Sequence, residues 1–372
     1  MRLIVFGSGH PYRGGVARTT TEMADALSVR GHELSFLTPK RQYPRFLFPG
    51  RDDRDPEACR RLEFAVAELD PLNPLSWAGS RKRALALGGD AWILPYWTWA
   101  WAGLWRFILA GRRPPAVAVV HNPFDHDASG MQRLAARSVL GRCQALFTHA
   151  VALQEQLEAD YPGLPAASCP LPSIDPGPMP SPEAARAALG IAEGRRVALF
   201  LGLIRPYKGV DLLLEAMATL PADSDWMLIV AGEPWGSLGQ ELSTQVQRLG
   251  LEDRVGLRLG WVPEPEVAGL LAAADLVVLP YRSGSQSAVA PLALGAGVPV
   301  LSTSVGGLPE VVGDGVDGLI VQPGSATEIA RAMTELDRKR LHELTLGTAG
   351  RVKSTWAGYA ESLERLIRRV LP

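Results

Sequence analysis

The feature that most constrains the fold of this chain is an alternation of short apolar runs with helical patterns, which occurs twice. In the first half the runs are RLIVF, ELSFLT, EFAVAEL, DAWILPY, AVAVVH and QALFTH, with a helix expected from about Val16 to Val29. In the second half RRVALFLG, WMLIVAG, RVGLRLG, DLVVLPY and PVLSTS alternate with helices expected at 209–219 and near 238–249. Such alternation predicts α/β structure: two Rossmann-like, doubly wound domains with parallel sheets.

A proline-rich stretch separates the two halves. Residues 161–182, YPGLPAASCPLPSIDPGPMPSP, include eight prolines. Proline disfavours a regular helix and has no backbone N–H to donate to a neighbouring strand. The sequence therefore predicts Rossmann-like domains at 1–165 and 183–352 with a linker at 166–182. An amphipathic pattern over 353–372 predicts a last helix that crosses back to the first domain. The carboxyl ends of both sets of strands are expected to face one cleft.

Composition excludes several classes of protein. The net charge is −1, with 47% apolar and 21% charged residues, which indicates an ordinary globular protein and no nucleic-acid partner. Cys59, Cys143 and Cys169 have no metal-ligand spacing, so we expect inert thiols in a reducing compartment.

Two apolar segments bear on targeting. The start, MRLIVFGSGH, is too short for a signal sequence, which favours a cytoplasmic location. The segment AWILPYWTWAWAGLWRFILAGRR contains Pro95 and Arg106, so it is interpreted as a strand end followed by a helix with an aromatic face rather than a membrane span.

The first candidate loop is FGSGHPYRGGVART, between the first strand and the first helix. The third glycine of this loop comes later in the chain than the G-x-G-x-x-G fingerprint requires, so a nicotinamide-dependent oxidoreductase is a poor alternative. The glycines still let the backbone approach a ligand, and the following helix offers N–H groups to an anion or a sugar hydroxyl. The remaining alternative is that they serve only a tight turn.

The second candidate loop is VVHNPFDHDASG. His121 ends a buried strand, and His126 and Asp127 follow in the loop. The spacing of the histidines lacks the i, i+4 geometry of zinc enzymes, so we expect no metal site. The favoured interpretation makes His121 a cleft-facing partner of substrate hydroxyls, and a purely structural histidine is the alternative.

The third candidate loop is FLGLIRPYKGVDLLLEAM, in which Arg205 and Lys208 precede a glycine and a helix. The positive end of the helix dipole repels cations unless an anion is present. The pair therefore predicts a phosphate ligand, against the alternative of solvated surface charge.

A turn of small residues follows the strand DLVVLPY. The stretch RSGSQSAVAPLALGAGVPV places Ser285, Gln286 and Ser287 at what the sequence predicts to be the start of a helix, SAVAPLALGAG. Its backbone amides are expected to hold an anion whose charge is balanced by Arg205 and Lys208.

Together with these loops, several other stretches of the chain resemble the retaining GT-B glycosyltransferases of family 4. The likeness rests on Gly14-Gly15 with ALSVRGHELSFLT, on HNPFDHD, on GLIRPYKGVDLLLEA, and on GAGVPVLSTSVGGLPEVVGDGVDGLIVQPGS. The resemblance implies an acceptor-binding first domain, a donor-binding second domain, and a leaving phosphate that helps to deprotonate the acceptor on the same face. It implies no metal and no cofactor besides the nucleotide-diphosphate sugar co-substrate.

The resemblance also assigns residues to roles. The catalytic set is His121, Arg205 and Lys208. The donor-binding set is Gly15, Arg205, Lys208, Gln286, Ser287, Ala288 and Glu310. The acceptor-binding set is His10, Gly14 and His126. The chain departs from the family where two glutamates eight positions apart are common, because these positions fall on about Gly284 and Leu292.

The sequence thus predicts sugar transfer from a nucleotide-diphosphate donor to a glycan or lipid-linked saccharide, in bacterial surface polysaccharide or glycoconjugate synthesis. The alternative is a non-catalytic glycan- or partner-binding protein that lost its donor grip with the glutamates. The basic, aromatic segment at 40–54, KRQYPRFLFPGRDDR, is interpreted either as a peripheral contact with anionic lipid of the inner membrane face or as a solvated loop.

Overall fold

The structure, a computed structural model, describes residues 1–42, 54, 65–123, 130–350 and 354–372. The chain divides into two compact units: unit 1 is Met1–Pro172 with Ser354–Pro372, and unit 2 is Ser173–Lys353. Most of the segment at 40–54 lies outside the described residues, as do His126 and Asp127. Among the residues that are described, no helix is both long enough and apolar enough to cross a membrane.

Unit 1 is built on a parallel sheet whose seven described strands have the order β3-β2-β1-β4-β5-β6-β7. The strands are β1 Arg2–Phe6, β2 Glu33–Pro39, β3 Ala65–Leu69, β4 Ala91–Tyr96, β5 Ala116–Val120, β6 Ala145–Thr148 and β7 Ala166–Ser168. The helices are α1 Gly15–Val29, α2 Trp77–Ala86, α3 Ala102–Ile108, α4 Gly130–Leu140, α5 Val151–Asp160 and α14 Trp356–Val370. The two Rossmann-like sheets, this one and that of unit 2, confirm the predicted fold class.

One strand contradicts the predicted linker. β7 lies inside the proline-rich stretch, where Leu146, Phe147 and Thr148 of β6 pair with residues 166–168. The reason is local: residues 166–168 contain no proline, so their N–H groups are available to the ladder, and prolines flank the strand on both sides. The division between the units falls at 172/173, within the predicted linker at 166–182.

Helices cover both faces of the unit 1 sheet. On one face, the buried side of α1 packs with Tyr359, Leu363 and Leu366 of α14 against strands β1, β5 and β6. On the other face, α2 to α5 cover a core that contains Trp92, Trp101 and Trp105. The expected aromatic helix is therefore α3, in which Trp105, like Trp101 at the N-cap, is buried against the sheet.

Unit 2 repeats this architecture with six described parallel strands in the order β10-β9-β8-β11-β12-β13. The strands are β8 Arg196–Leu201, β9 Trp226–Gly232, β10 Val255–Leu259, β11 Leu276–Leu279, β12 Val300–Thr303 and β13 Gly318–Val321. The helices are α6 Pro182–Ala188, α7 Val210–Thr219, α8 Leu238–Arg248, α9 Glu264–Ala273, α10 Val289–Gly295, α11 Leu308–Val311, α12 Ala326–Glu335 and α13 Arg338–Gly350.

The strand order of unit 2 reverses between β8 and β11, which pair in parallel through Ala198 and Leu199. At such a switch point the connections after the two strands leave towards opposite faces of the sheet and open a crevice between them. The loop after β8 carries Arg205 and Lys208, and the loop after β11 carries residues 281–288. The fold therefore places these two predicted loops side by side.

Candidate functional site

Hydrogen bonds fasten the loops after β8 and β11 to each other. The backbone N–H of Arg282 donates to the carbonyl of Tyr207 at 2.7 Å. The Arg282 guanidinium donates to both carboxylate oxygens of Asp211 in the first turn of α7, at 2.6 and 2.7 Å. A two-pronged arginine–carboxylate contact fixes orientation as well as distance. The two loops are thus held in register before any ligand binds.

Gly209 allows this close approach. It has a φ of +70°, and a Cβ atom there would lie 2.1 Å from the carbonyl oxygen of Pro280. No other residue fits such a position without moving the backbone. Gly209 also lies between Lys208 and the first residue of α7, so it sets where the lysine leaves the chain.

The ammonium group of Lys208 lies over the end of β8. A Cβ atom on Gly202 would be 3.4 Å from Lys208 Nζ and 3.5 Å from Val289 at the start of α10. Nζ is also 5.3 Å from the centre of the Tyr281 ring, which contributes a cation–π contact. Burial lowers the pKa of Lys208, and the charge of Arg205 lowers it further. An anion bound beside Lys208 would oppose both effects.

Arg205 is held by a residue that the sequence analysis missed. Its guanidinium carbon lies 3.5 Å from the centre of the Trp235 indole ring, in the loop after β9. Trp235 is fixed in turn because its backbone N–H donates to the carbonyl of Ile204 at 3.0 Å, and the backbone N–H of Ile204 donates to the carbonyl of Glu233 at 2.8 Å. A signal was present in the sequence, since AGEPWG follows a strand next to β8.

The small-residue turn after β11 differs from its prediction in detail. The helix begins at Val289 rather than at Ser287. The Ser287 hydroxyl accepts the Val289 N–H at 3.2 Å and lies 3.2 Å from the Tyr281 hydroxyl. A serine that bonds the amide two residues ahead forms a turn that competes with the helix, which delays its start. The Val289 amide is therefore committed within the protein; Gln286 and Ala288 flank Ser287, and both are partly exposed.

The loop of Glu310 packs against the same turn. The Gly307 N–H donates to the carbonyl of Ser285 at 2.8 Å. A Cβ atom on Gly306 would lie 2.2 Å from the carbonyl oxygen of Gly284, so the two backbones touch. Glu310 lies in α11, directly after this contact, and is partly exposed. Unit 2 thus brings together all three loops that the sequence singled out there.

The two positions where the family commonly has glutamate contain no carboxylate. Leu292 is buried in α10 with its side chain in the core. Gly284 has a φ of +154°, a conformation that residues with a side chain rarely adopt. Neither residue can accept a hydrogen bond from a hydroxyl through its side chain.

In unit 1, the predicted glycine loop ends in an exposed helix start. Gly14 is the N-cap of α1 with a φ of +103°, and Gly15 is the first residue of the helix. His10 is buried, and its backbone N–H donates to the Thr21 hydroxyl at 2.9 Å. Gly9 packs under Phe36, because a Cβ atom there would be 2.7 Å from that ring. The loop is thus folded tightly on the sheet, with Gly14 and Gly15 open to solvent.

His121 directly follows β5 and is almost fully buried. Its N–H donates to the carbonyl of Tyr96 at 2.9 Å, which continues the ladder with β4. Burial lowers the pKa of His121 to about 3. The imidazole is therefore neutral at physiological pH, so it can donate one hydrogen bond and accept another but cannot serve as a cation.

A second histidine, which the sequence analysis did not select, lies beside His121. His149 follows β6, the strand next to β5, and the two ring centres are 4.8 Å apart. The Tyr359 ring of α14 stacks on His149, with a hydroxyl to Nδ1 distance of 3.5 Å. Burial lowers the pKa of His149 well below its usual value. The rule that placed His121 at a strand end would also have found His149, at the end of QALFTH.

Among the described residues, no group of three or more histidine, cysteine, aspartate or glutamate side chains is arranged to hold a metal ion. Cys143 is buried, and burial raises the pKa of its thiol to about 12. This thiol stays protonated and unreactive at neutral pH.

Comparison with known proteins places these loops in a family. A family model described as Glycosyltransferase Family 4 matches residues 13–168, and one described as Glycosyl transferases group 1 matches residues 181–352. Together the two models cover most of both units. The chain belongs to the family 4 glycosyltransferases. The predicted family is thereby confirmed, and both units contribute to the match.

Curated proteins match one part of the chain. D-inositol 3-phosphate glycosyltransferase of Mycobacterium tuberculosis H37Rv is 40% identical over 174 residues, which is 46% of this chain and 34% of that protein. The protein of the same name from Mycobacterium bovis AF2122/97 matches equally. The matched region therefore spans about a third of the length of these curated relatives.

Solved structures of other proteins share the fold along the whole chain. Sucrose-phosphate synthase from Thermosynechococcus elongatus matches with a TM-score of 0.81 and 18% identity, over 100% of this chain and 99% of that one. Anabaena HepE in complex with UDP and glucose matches with a TM-score of 0.73 and 19% identity, over 100% and 98% of the two chains. At these identities the likeness shows the fold, which is GT-B.

Proposed function

We propose that this family 4 chain transfers a sugar from a nucleotide-diphosphate donor to a hydroxyl of a saccharide or lipid-linked saccharide, with retention of the anomeric configuration. Unit 2 binds the donor in the loops after β8 and β11. Unit 1 binds the acceptor through His10 and Gly14 of the glycine loop and through His126 of the loop after β5. His121 contacts substrate hydroxyls.

The observation that carries this proposal is the position of the two cations. Lys208 Nζ lies at the end of β8, beside Gly202. The guanidinium of Arg205, in the same loop, lies over the ring of Trp235. Two fixed cations at a switch point offer the charge and the hydrogen-bond donors that a diphosphate requires. Each charge-assisted hydrogen bond contributes about 1.5–3 kcal/mol.

In the proposed reaction the acceptor oxygen forms a bond to the anomeric carbon while the bond from that carbon to the diphosphate oxygen breaks. The acceptor proton passes to the leaving phosphate on the same face of the sugar. Arg205 and Lys208 stabilise the negative charge that develops on the diphosphate, so we propose that the transfer requires no metal ion. Neutral His121 orients substrate hydroxyls by hydrogen bonding.

The names of related proteins support the substrate classes. Solved structures of HepE contain UDP and UDP-glucose, which supports a nucleotide-sugar donor for the similar fold of this chain. The curated relatives are named for a phosphorylated cyclitol acceptor, and sucrose-phosphate synthase for a phosphorylated sugar product. These names agree on polyhydroxylated substrates and differ in the acceptor.

The test is a screen of nucleotide-diphosphate sugars with detection of the product by mass spectrometry. Arg205→Ala and Lys208→Ala should each lower transfer about tenfold or more, as expected for the loss of one charge-assisted contact. Arg248→Ala, at an exposed position in α8, is the matched control and should transfer like the wild type. Wild-type turnover in both site variants would refute the phosphate assignment.

The absence of a carboxylate at positions 284 and 292 favours a second candidate, a binding protein without catalysis. Gly284 has no side chain and that of Leu292 is apolar, so neither residue can hold a nucleotide ribose hydroxyl by a side-chain hydrogen bond. Calorimetric titration with a panel of nucleoside diphosphates separates the two functions. Heat with one member that Arg205→Ala abolishes supports the transferase, whereas no heat with any member supports the second candidate.

A further inference from the structure

One face of unit 1 combines basic and apolar side chains in a way that the sugar transfer does not use. Helices α2, α3 and α4 lie side by side on this face and cover the tryptophan-rich core. Every charged residue in the three helices is basic: Arg81, Lys82, Arg83, Arg106, Arg133 and Arg137. The connections that follow α3 and α4 add Arg112, Arg113 and Arg142. We call this surface the α2–α4 face.

Side-chain contacts hold the three helices in one layer. The Trp77 ring of α2 lies 6.1 Å from the Phe107 ring of α3, centre to centre. The Arg81 guanidinium donates to the carbonyl of Ala110 at 2.7 Å, at the end of α3. Since α3 also packs against α4, side chains that point away from the sheet on all three helices share one side of unit 1.

Large apolar side chains are exposed between these cations. Met131 and Leu134 on α4 are 74% and 68% exposed, Phe107 on α3 is 41% exposed, and Leu75, in the turn that leads to α2, is 93% exposed. Met131 and Leu134 are three residues apart and lie on the same side of α4. Exposed apolar groups that are rimmed by polar residues mark surfaces that contact proteins or membranes.

The charge is specific to this layer. The helix α14, on the opposite face of the sheet, carries Glu361 and Glu364 among its arginines. The helix α5, which follows α4 along the chain, carries only acidic charged residues: Glu155, Glu158 and Asp160. Among these helices the unmixed basic charge is therefore confined to α2, α3 and α4, and it does not reflect the composition of the chain, whose net charge is −1.

We propose that the α2–α4 face docks unit 1 on an anionic lipid bilayer. The cations attract acidic headgroups, and Phe107, Met131 and Leu134 enter the boundary between headgroups and acyl chains. The aliphatic groups favour lipid over nucleic acid, because a polyanion in water gives a leucine or a methionine no apolar partner. This surface lies outside the segment at 40–54 and does not depend on the proposed sugar transfer.

Flotation of the full chain with vesicles is the test. The chain should float with vesicles that contain about 30% phosphatidylglycerol, and not with phosphatidylcholine alone. Binding should weaken as salt rises from about 0.05 to 0.5 M, because salt screens exposed charges. Lys82→Glu with Arg83→Glu should weaken it by about 25-fold or more, since each lysine or arginine near such a surface is worth about fivefold.

Two further variants make the test specific. Met131→Ser with Leu134→Ser keeps every cation and should weaken vesicle binding about tenfold or more through lost apolar burial. Arg248→Glu with Lys339→Glu reverses two exposed charges of unit 2 and should bind like the wild type. Matching circular dichroism melts verify that each variant is folded.

The outcomes separate the alternatives. Binding that both α2–α4 variants weaken and the unit 2 variant does not supports the proposal. Absence of binding to anionic vesicles, or binding that the α2–α4 variants leave unchanged, overturns it. If the serine variant binds vesicles and a short duplex DNA as the wild type does, the face is a general polyanion surface and the lipid proposal is wrong.

Discussion

The guanidinium of Arg205 lies flat over the indole of Trp235, with the arginine carbon 3.5 Å from the ring centre. The two residues come from the loops after the adjacent strands β8 and β9. A hydrogen bond from the backbone N–H of Trp235 to the carbonyl of Ile204 joins those loops. The contact with the ring engages the face of the guanidinium, whereas its N–H groups lie at the edge of that plane. The indole thus orients the cation without competing for its donors.

Replacing the indole should therefore weaken nucleotide binding without removing a charge. Trp235→Leu should raise the Kd for the preferred nucleoside diphosphate about two- to thirtyfold, because a cation–π contact is worth about 0.5–2 kcal/mol. Trp235→Phe retains a ring and should recover most of the affinity, which a purely structural role would not predict. Isothermal titration calorimetry measures both, and Trp99→Leu in unit 1 is the control.

The pH dependence of binding should reveal Lys208. Burial lowers the pKa of Lys208 below the usual value for a lysine, so the free site loses its charge as pH rises through that lowered pKa. Above about pH 7, where the terminal phosphate is ionised, affinity for a diphosphate should first be constant and should then fall on the alkaline side, earlier than for an exposed lysine. Burial raises the pKa of Tyr281 to about 12, so the tyrosine stays neutral over this range.

The matched variant for that experiment is Lys208→Met, which keeps the length of the side chain. It should bind diphosphate more weakly at neutral pH and should lose the alkaline decline. An alkaline decline that persists in Lys208→Met would assign the titration to another group.

A pair of glycine substitutions should separate steric clash from backbone strain. Gly209 and Gly250 have φ values of +70° and +63°, but only Gly209 has a backbone oxygen within 2.1 Å of a Cβ position. Gly250→Ala should cost about 1 kcal/mol, the usual price of alanine in this conformation. Gly209→Ala should cost at least about 2–3 kcal/mol, because the loop after β11 must move.

Urea denaturation of the two variants beside the wild type measures the difference. Equal losses would show that the contact with Pro280 relaxes freely. Donor affinity should also fall in Gly209→Ala, since the clash lies between the two loops that hold Arg205, Lys208 and Ser287.

Acid should destabilise unit 1 through its buried histidines. Burial lowers the pKa of His121 to about 3 and lowers that of His149 well below its usual value, so below about pH 6.5 the unfolded state binds more protons than the folded state. Stability is then full above about pH 6.5 and is lost as pH falls, by up to about 1.4 kcal/mol per pH unit for each histidine.

Thermal melts at about pH 7.5 and about pH 5.5 provide the measurement, because these values lie above and below the ordinary pKa of histidine. His149→Phe keeps a ring against Tyr359 and should reduce the loss of melting temperature on acidification. A loss of the same size in His149→Phe and the wild type would mean that His149 does not cause the acid sensitivity.

The strand pattern and the glycine-rich loops were accessible from the sequence because they are local. An apolar β-branched run followed by glycine, a cation and a helical pattern indicates a strand, a loop and a helix in that order, as found from β8 to α7. The short strand β7 was missed because three small residues between prolines carry no periodic signal. The start of α10 was misplaced because the Ser287 hydroxyl takes the amide of Val289.

The sequence alone determined two Rossmann-like domains, the family and the loops that carry Arg205, Lys208 and Ser287. Only the tertiary structure decided that β8 lies next to β11, that Trp235 lies under Arg205, that His149 packs against His121, and that the cations of α2 to α4 form one face. Strand order and helix packing join residues far apart in the chain, and their free energy comes from burial shared by many side chains, which no short stretch of sequence encodes.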